Sequence, residues 1–172
     1  GGALTTTPGT QRIATRMADD LLNVAHSRER ALAAQRRYRI GKYEFKEADH
    51  AQIQRWARML GMGPEAVVEG LEKSEKKKKY GNEVDVNFHV HDGHIVSLAW
   101  DFDIFPLTDW IWVDGLKIER IGILNPKNGC LPTLPRCLRG LLCYECQLIH
   151  LDLAPVPGLS TLDCRNNQLT HL

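Results

Sequence analysis

The chain repeats itself at a fixed interval. Leu138, Leu141, Cys143, Cys146, Leu148 and Leu151 are each followed, 21 residues on, by Leu159, Leu162, Cys164, Asn167, Leu169 and Leu172. Ile118, Ile121, Ile123 and Leu131 fit the same template 20 residues earlier, where Pro126 and Asn128 depart from it. Ile95, Leu98, Trp100, Asp103 and Phe105 fit again 23 residues before that. A sustained period of this length belongs to a stacked solenoid. In each unit two apolar residues, two apart, point inward from a short strand, and an Asn or Asp turns the chain by bonding backbone groups with its side chain. One unit cannot bury its stripe alone. Stacked units share a core, and their strands line up as a parallel sheet on one concave face.

The segment Leu131-Pro132-Thr133-Leu134-Pro135-Arg136-Cys137-Leu138 resembles the short L-P-x-L-P units of bacterial effector proteins. The stretch from Leu151-Asp152-Leu153 through Leu159-Ser160-Thr161-Leu162-Asp163-Cys164-Arg165-Asn166-Asn167-Gln168-Leu169 is similar to the L-D-L…L-x-x-L-x-C-x-x-N-x-L units of other bacterial repeat proteins. The resemblance to bacterial leucine-rich-repeat proteins covers residues 95–172. It implies about four repeats and a protein-binding role, either as an adaptor or as the targeting half of a larger effector enzyme. Cys146 and Pro126 stand where Asn would make the turn, so the middle repeats are expected to be irregular. The sequence stops at Leu172 part-way through a unit, which reads as a truncated array or an open end covered by a partner.

Ahead of the repeats the periodicity is helical. From Gln11 to Tyr38 the chain lacks Gly and Pro, Ile13, Met17, Leu21, Val24 and Leu32 recur at helical spacing, and Thr10 is placed to cap the start. Past Gly41, Asp49 with Gln52 resembles a capping box, Ile53, Trp56 and Leu60 share a face, and Gly61 stops the helix. Pro64 opens a second helix with Val67, Val68 and Leu71 inward. The pattern then alternates: Val84, Val86, Phe88 and Val90 face one way, and Asp92-Gly93 makes a tight hairpin turn. These readings divide the chain into a basic helical region (1–80), a β-hairpin cap (81–94) and the repeats (95–172), an α+β fold.

The net charge of +1 conceals an asymmetry, because residues 1–79 hold 16 Lys/Arg against 10 Asp/Glu, and residues 80–172 hold 6 against 11. The front half therefore has a candidate nucleic-acid surface in Arg28, Arg30, Arg36, Arg37, Arg39 and Lys76, Lys77, Lys78 and Lys79, and the helical hairpin around the turn Gly61-Met62-Gly63-Pro64, with Lys73 at its end, offers a helix-turn-helix reading. A solvated basic face is the competing reading. No apolar run is long enough to span a membrane, and the start has no leader pattern. Five cysteines, an odd number, argue for free thiols in a reducing compartment, the cytoplasm of a bacterium or of a host cell receiving an effector.

Cys130, Cys137, Cys143 and Cys146 suggest a zinc site, but Cys143 and Cys164 fall on inward repeat positions where cysteine packs as a small apolar group. His89, His91 and His94 cluster around the hairpin turn, where a solvated hairpin is the simpler reading. No phosphate loop, nucleophile elbow or paired Cys and His stands out, so neither an enzyme nor a cofactor or metal is expected. Trp110-Ile111-Trp112 reads either as an exposed anchor for a partner or as a core plug. The expected function is recognition of another protein through the outward residues of the repeat strands: Ser97, Asp101, Arg120, Tyr144, Glu145, Thr161, Asp163 and Arg165. The nucleic-acid-associated subunit is the alternative.

Overall fold

The computed structural model describes residues 7–77 and 85–171. Among them are three helices and seven strands, five of the strands in one mixed sheet, so the chain is α+β. Residues 1–36 form one compact unit and residues 37–172 a second, so the boundary expected near residue 80 falls inside the second unit.

The first unit is helix α1 (Pro8–Gln35), a single helix. Thr7, not Thr10, is the cap: its Oγ1 accepts the Thr10 N–H at 3.3 Å, and Pro8 presets the first helical φ. The helix ends where Arg36 turns extended. None of its residues is buried. Leu21 is 70% exposed and Val24 50%, so the apolar stripe read from the sequence has no packing partner among the described residues.

The second unit begins with a small hairpin, β1 (Tyr38–Ile40) and β2 (Tyr43–Phe45), turned at Gly41 (φ 58°). Helix α2 (Glu47–Leu60) follows and closes at Gly61, whose φ of 64° is the left-handed conformation that ends helices cheaply with glycine. Pro64 then opens α3 (Pro64–Lys73). The apolar faces of both helices are inside: Ile53, Trp56, Val67 and Leu71 are fully buried. Gly70 lets α3 come close, since a Cβ there would lie 2.4 Å from the Phe105 ring.

Asp49 and Gln52 do not form a capping box, and Lys46 holds the N-cap position of α2 without a side-chain bond. Both polar groups reach across the core instead. The buried Asp49 carboxylate accepts the Ile95 N–H at 2.7 Å and meets His94 Nδ1 at 2.9 Å. The Gln52 amide accepts from Val113 N–H at 2.9 Å and donates to Ile111 O at 3.3 Å. Around them Trp56, Trp100 and Trp110 are fully buried, with ring centroids 5.0 Å apart for Trp56–Trp100 and 5.8 Å for Trp100–Trp110. The tryptophans of 100–112 therefore serve mainly as core. Within Trp110-Ile111-Trp112 only Ile111 (45%) is exposed, and Trp112 is half-buried.

The sheet runs β3 (His89–His91), β4 (His94–Asp101), β5 (Arg120–Leu124), β6 (Gly140–Leu142) and β7 (Thr161–Asp163). Strands β3 and β4 pair antiparallel through the Asp92-Gly93 turn, both residues at positive φ as the pattern required. Val84 and the turn before it lie outside the described residues, and β3 is shorter than the alternation implied. The remaining pairs are parallel. Their registers, Ser97↔Arg120, Arg120↔Gly140 and Gly140↔Thr161, step by 23, 20 and 21 residues, the intervals of the sequence repeat. Leu98, Ile121 and Leu141 form one inward row, and Trp100, Ile123 and Cys143 the next, all fully buried.

Candidate recognition face

Because side chains alternate along a strand, the opposite face presents two rows: Ser97, Arg120, Gly140 and Thr161, then Ala99, Gly122, Leu142 and Asp163. At Ala99, Gly122 and Leu142 the second row is small or apolar because the chain crosses it. Lys76 and Val86 form an antiparallel bridge, with N–H to O distances of 2.8 and 2.9 Å, over Gly122. A Cβ on Gly122 would sit 2.5 Å from Lys76 Cβ and 3.2 Å from Val86 Cβ, so glycine is what admits this strap.

Lys76 itself is only 8% exposed. Its ammonium donates to Tyr144 O at 2.9 Å, lies 3.7 Å from Cys146 Sγ and stands 4.2 Å from the centre of the Tyr144 ring. The Tyr144 hydroxyl donates to Lys77 O. Polar and aromatic contacts thus fasten the strap to the sheet.

Beyond the strap the first row opens into a cleft of about 490 Å³, lined by Val86, Glu119, Arg120, Arg139, Gly140, Leu142, Ser160 and Thr161. Two arginines, Arg120 and Arg139, line it. No ion pair joins either to a carboxylate among the described residues, whereas Lys127 pairs with Asp103 and Arg165 with Asp163.

The outward residues read from the sequence separate into two groups. Arg120 and Thr161 line the cleft. Ser97, Tyr144 and Asp163 are buried, Ser97 donating to Asn87 O at 2.6 Å and Asp163 holding Arg165 through bonds of 2.9 and 2.7 Å. Asp101 is half-buried, accepting from Asn125 at 3.0 Å and from the Asp103 N–H at 2.9 Å. Glu145 is exposed at a turn with φ 54°. Sequence reasoning missed Arg139, which precedes its strand, and the strap. The available signal for the strap was the Ala99, Gly122 and Leu142 row, where a free face would carry polar side chains.

The cations read as nucleic-acid contacts are dispersed. Arg28, Arg30 and Arg36 belong to the first unit. In the second, Arg37 pairs with Asp92 at 3.3 Å, Arg39 with Glu44 at 3.0 Å and Lys77 with Glu75 at 3.2 Å. Lys76 is buried against the sheet, which corrects its reading as an exposed contact. Lys78 and Lys79 lie outside the described residues. The exposed face of α3 carries Glu65, Glu69 and Glu72 beside Lys73.

All five cysteines are free thiols. Burial pushes Cys143 well above the ordinary thiol range, and burial also raises Cys137 and Cys146, with Lys76 opposing the shift at Cys146. Among the described residues no three His, Cys, Asp or Glu side chains are grouped to hold a metal ion. His89 and His91 are exposed, while His94 is held by Asp49. A second cleft, of about 720 Å³, lies along the returning segments against Trp112, Leu116, Pro135 and Pro155. No described helix is long and apolar enough to cross a membrane. No family profile, curated protein or solved structure matches the chain.

Proposed function

We propose that residues 37–172 form a leucine-rich-repeat recognition module that binds another protein through the open part of its sheet face. The observation that carries this reading is the parallel register at 23, 20 and 21 residues, which brings one outward residue from each unit into a single row. Asn167 supports the repeat assignment. Its Oδ1 accepts from the backbone of Cys146 at 2.9 Å and Leu148 at 3.0 Å, and its Nδ2 donates to Cys143 O and Cys164 O, each at 2.8 Å. That is the turn-making role the template gives asparagine.

The same face would serve a free adaptor and the targeting half of a larger effector enzyme, since both must present it to a protein. Nucleic-acid association draws less support, because its cations are paired, buried or on separate units. Thr161→Trp tests the proposal by filling the cleft without changing charge. It should abolish capture of a partner from lysate while leaving the thermal transition in place. Undiminished capture would remove the face from the function.

A further inference from the structure

Resting on that recognition reading, we infer that the partner segment seated in the cleft is acidic, a Glu- or Asp-bearing stretch of protein whose carboxylates meet Arg120 and Arg139. Charge complementarity carries the argument. The half of the chain from residue 80 onward is net negative, with 6 Lys/Arg against 11 Asp/Glu, yet two of those six cations line one cleft. Neither guanidinium is ion-paired among the described residues, and Glu119 is the one carboxylate there to oppose them.

A guanidinium offers a planar fork of donors that matches a carboxylate in two parallel bonds. Elsewhere in this half, such a pair closes internally between Arg165 and Asp163. At Arg120 and Arg139 the donors are left to an incoming group. The floor assists: Gly140 has no side chain, and Arg120 Cγ lies 3.1 Å from where its Cβ would stand, so the arginine stem lies flat over the strand. Beside it the Ser160 hydroxyl, which donates to Arg139 O at 3.2 Å, and Thr161 add short polar groups suited to peptide backbone.

The surroundings favour a peptide over a nucleic acid. A phosphate backbone would have to run along a surface with nearly twice as many carboxylates as cations, whereas a short acidic segment needs only the cleft.

The test is selection of a random dodecapeptide display library on the full chain, followed by fluorescence anisotropy of the enriched sequences. Enrichment of Glu or Asp is expected. Replacing those residues by Gln or Asn, or introducing Arg120→Gln with Arg139→Gln, should each weaken binding roughly tenfold. The loss should shrink at high salt, where the charge attraction is screened. Circular dichroism melts of the double variant check that folding is intact. Enriched peptides without acidic residues, blocked by Thr161→Trp, would overturn the acidic assignment and leave the recognition reading standing. No enrichment would overturn both. A single-stranded oligonucleotide that displaces the peptides and binds more tightly would overturn the acidic-protein partner in favour of nucleic acid.

Discussion

Gly122→Ala tests the strap at its tightest point. The added methyl would lie 2.5 Å from Lys76 Cβ and 3.2 Å from Val86 Cβ. Both are carbons attached directly to backbone, so neither can swing aside as the tip of a long side chain would. Either the strap lifts away or the backbones part locally. Lifting would expose Val86, now 1% exposed, at about 1.5–3 kcal/mol for its side chain. It would also break the two bridge bonds and the Lys76 bond to Tyr144, at roughly 1 kcal/mol each net. Local strain from one extra methyl costs about 1–3 kcal/mol. Strain is cheaper, so the strap should stay seated and the protein should lose about 1–3 kcal/mol. Urea unfolding would measure this as a lower midpoint at unchanged slope. Hydrogen exchange of the Lys76 and Val86 amides should quicken only in proportion to the lost stability. Gly158→Ala, where nothing lies within 4 Å, is the control and should be close to neutral. If Gly122→Ala matches that control, the packing argument fails.

Two further measurements probe chemistry buried in the same unit. Burial raises the Asp49 carboxyl in the folded state, opposed by the Ile95 N–H and by His94. The folded state therefore holds this proton more tightly than the unfolded one. Its contribution is complete below the ordinary carboxylate pKa of about 3.9 and is lost as pH rises through the folded value. Stability of the wild type minus that of Asp49→Asn should accordingly fall as pH rises above about 4, read from urea midpoints at each pH; a difference that is flat or rises would refute the assignment. Thiol labelling by iodoacetamide under native conditions should modify exposed Cys130 first and spare Cys143, which is buried and held as the neutral thiol. Labelling of Cys143 at the rate of Cys130, mapped by mass spectrometry, would contradict its place in the core.

What the sequence disclosed was whatever local spacing encodes. The parallel register was readable because Leu98, Ile121 and Leu141 recur at the interval by which the strands pair. Gly61, Pro64 and Asp92-Gly93 marked their boundaries through backbone geometry that few other residues adopt. The β1–β2 hairpin was missed although Tyr38-Arg39-Ile40 and Tyr43-Glu44-Phe45 alternate around Gly41, because the run without Gly or Pro from Gln11 read as helical as far as Tyr38. Asp49 and Gln52 fitted a local cap so well that their long-range partners, Ile95 and Val113, went unseen. The strap is a tertiary crossing with no local period. It left its mark only as missing polarity on the strands beneath it, and three of the eight residues expected on the recognition face, Ser97, Tyr144 and Asp163, are buried.

The two departures from the repeat template explain each other. Asn167 bonds five backbone groups, accepting two N–H bonds from the preceding unit, one of them from Cys146 at the matching position. One unit earlier, Cys146 would have to accept from its own match, which is Pro126, and proline has no N–H. An asparagine there would carry a carbonyl lacking that donor. A thiol needs only to donate, and Cys146 Sγ lies 3.4 Å from both Ile123 O and Tyr144 O, with Lys76 completing Tyr144 O at 2.9 Å. Cys146→Asn alone should therefore destabilise by roughly 1–3 kcal/mol through an unsatisfied buried amide. Pro126→Ala restores an N–H at the matching position. The double variant should recover at least about 0.5 kcal/mol relative to the sum of the two single changes, a coupling resolvable in a double-mutant cycle by urea unfolding. Strict additivity would mean that proline and cysteine occupy these turns for unrelated reasons.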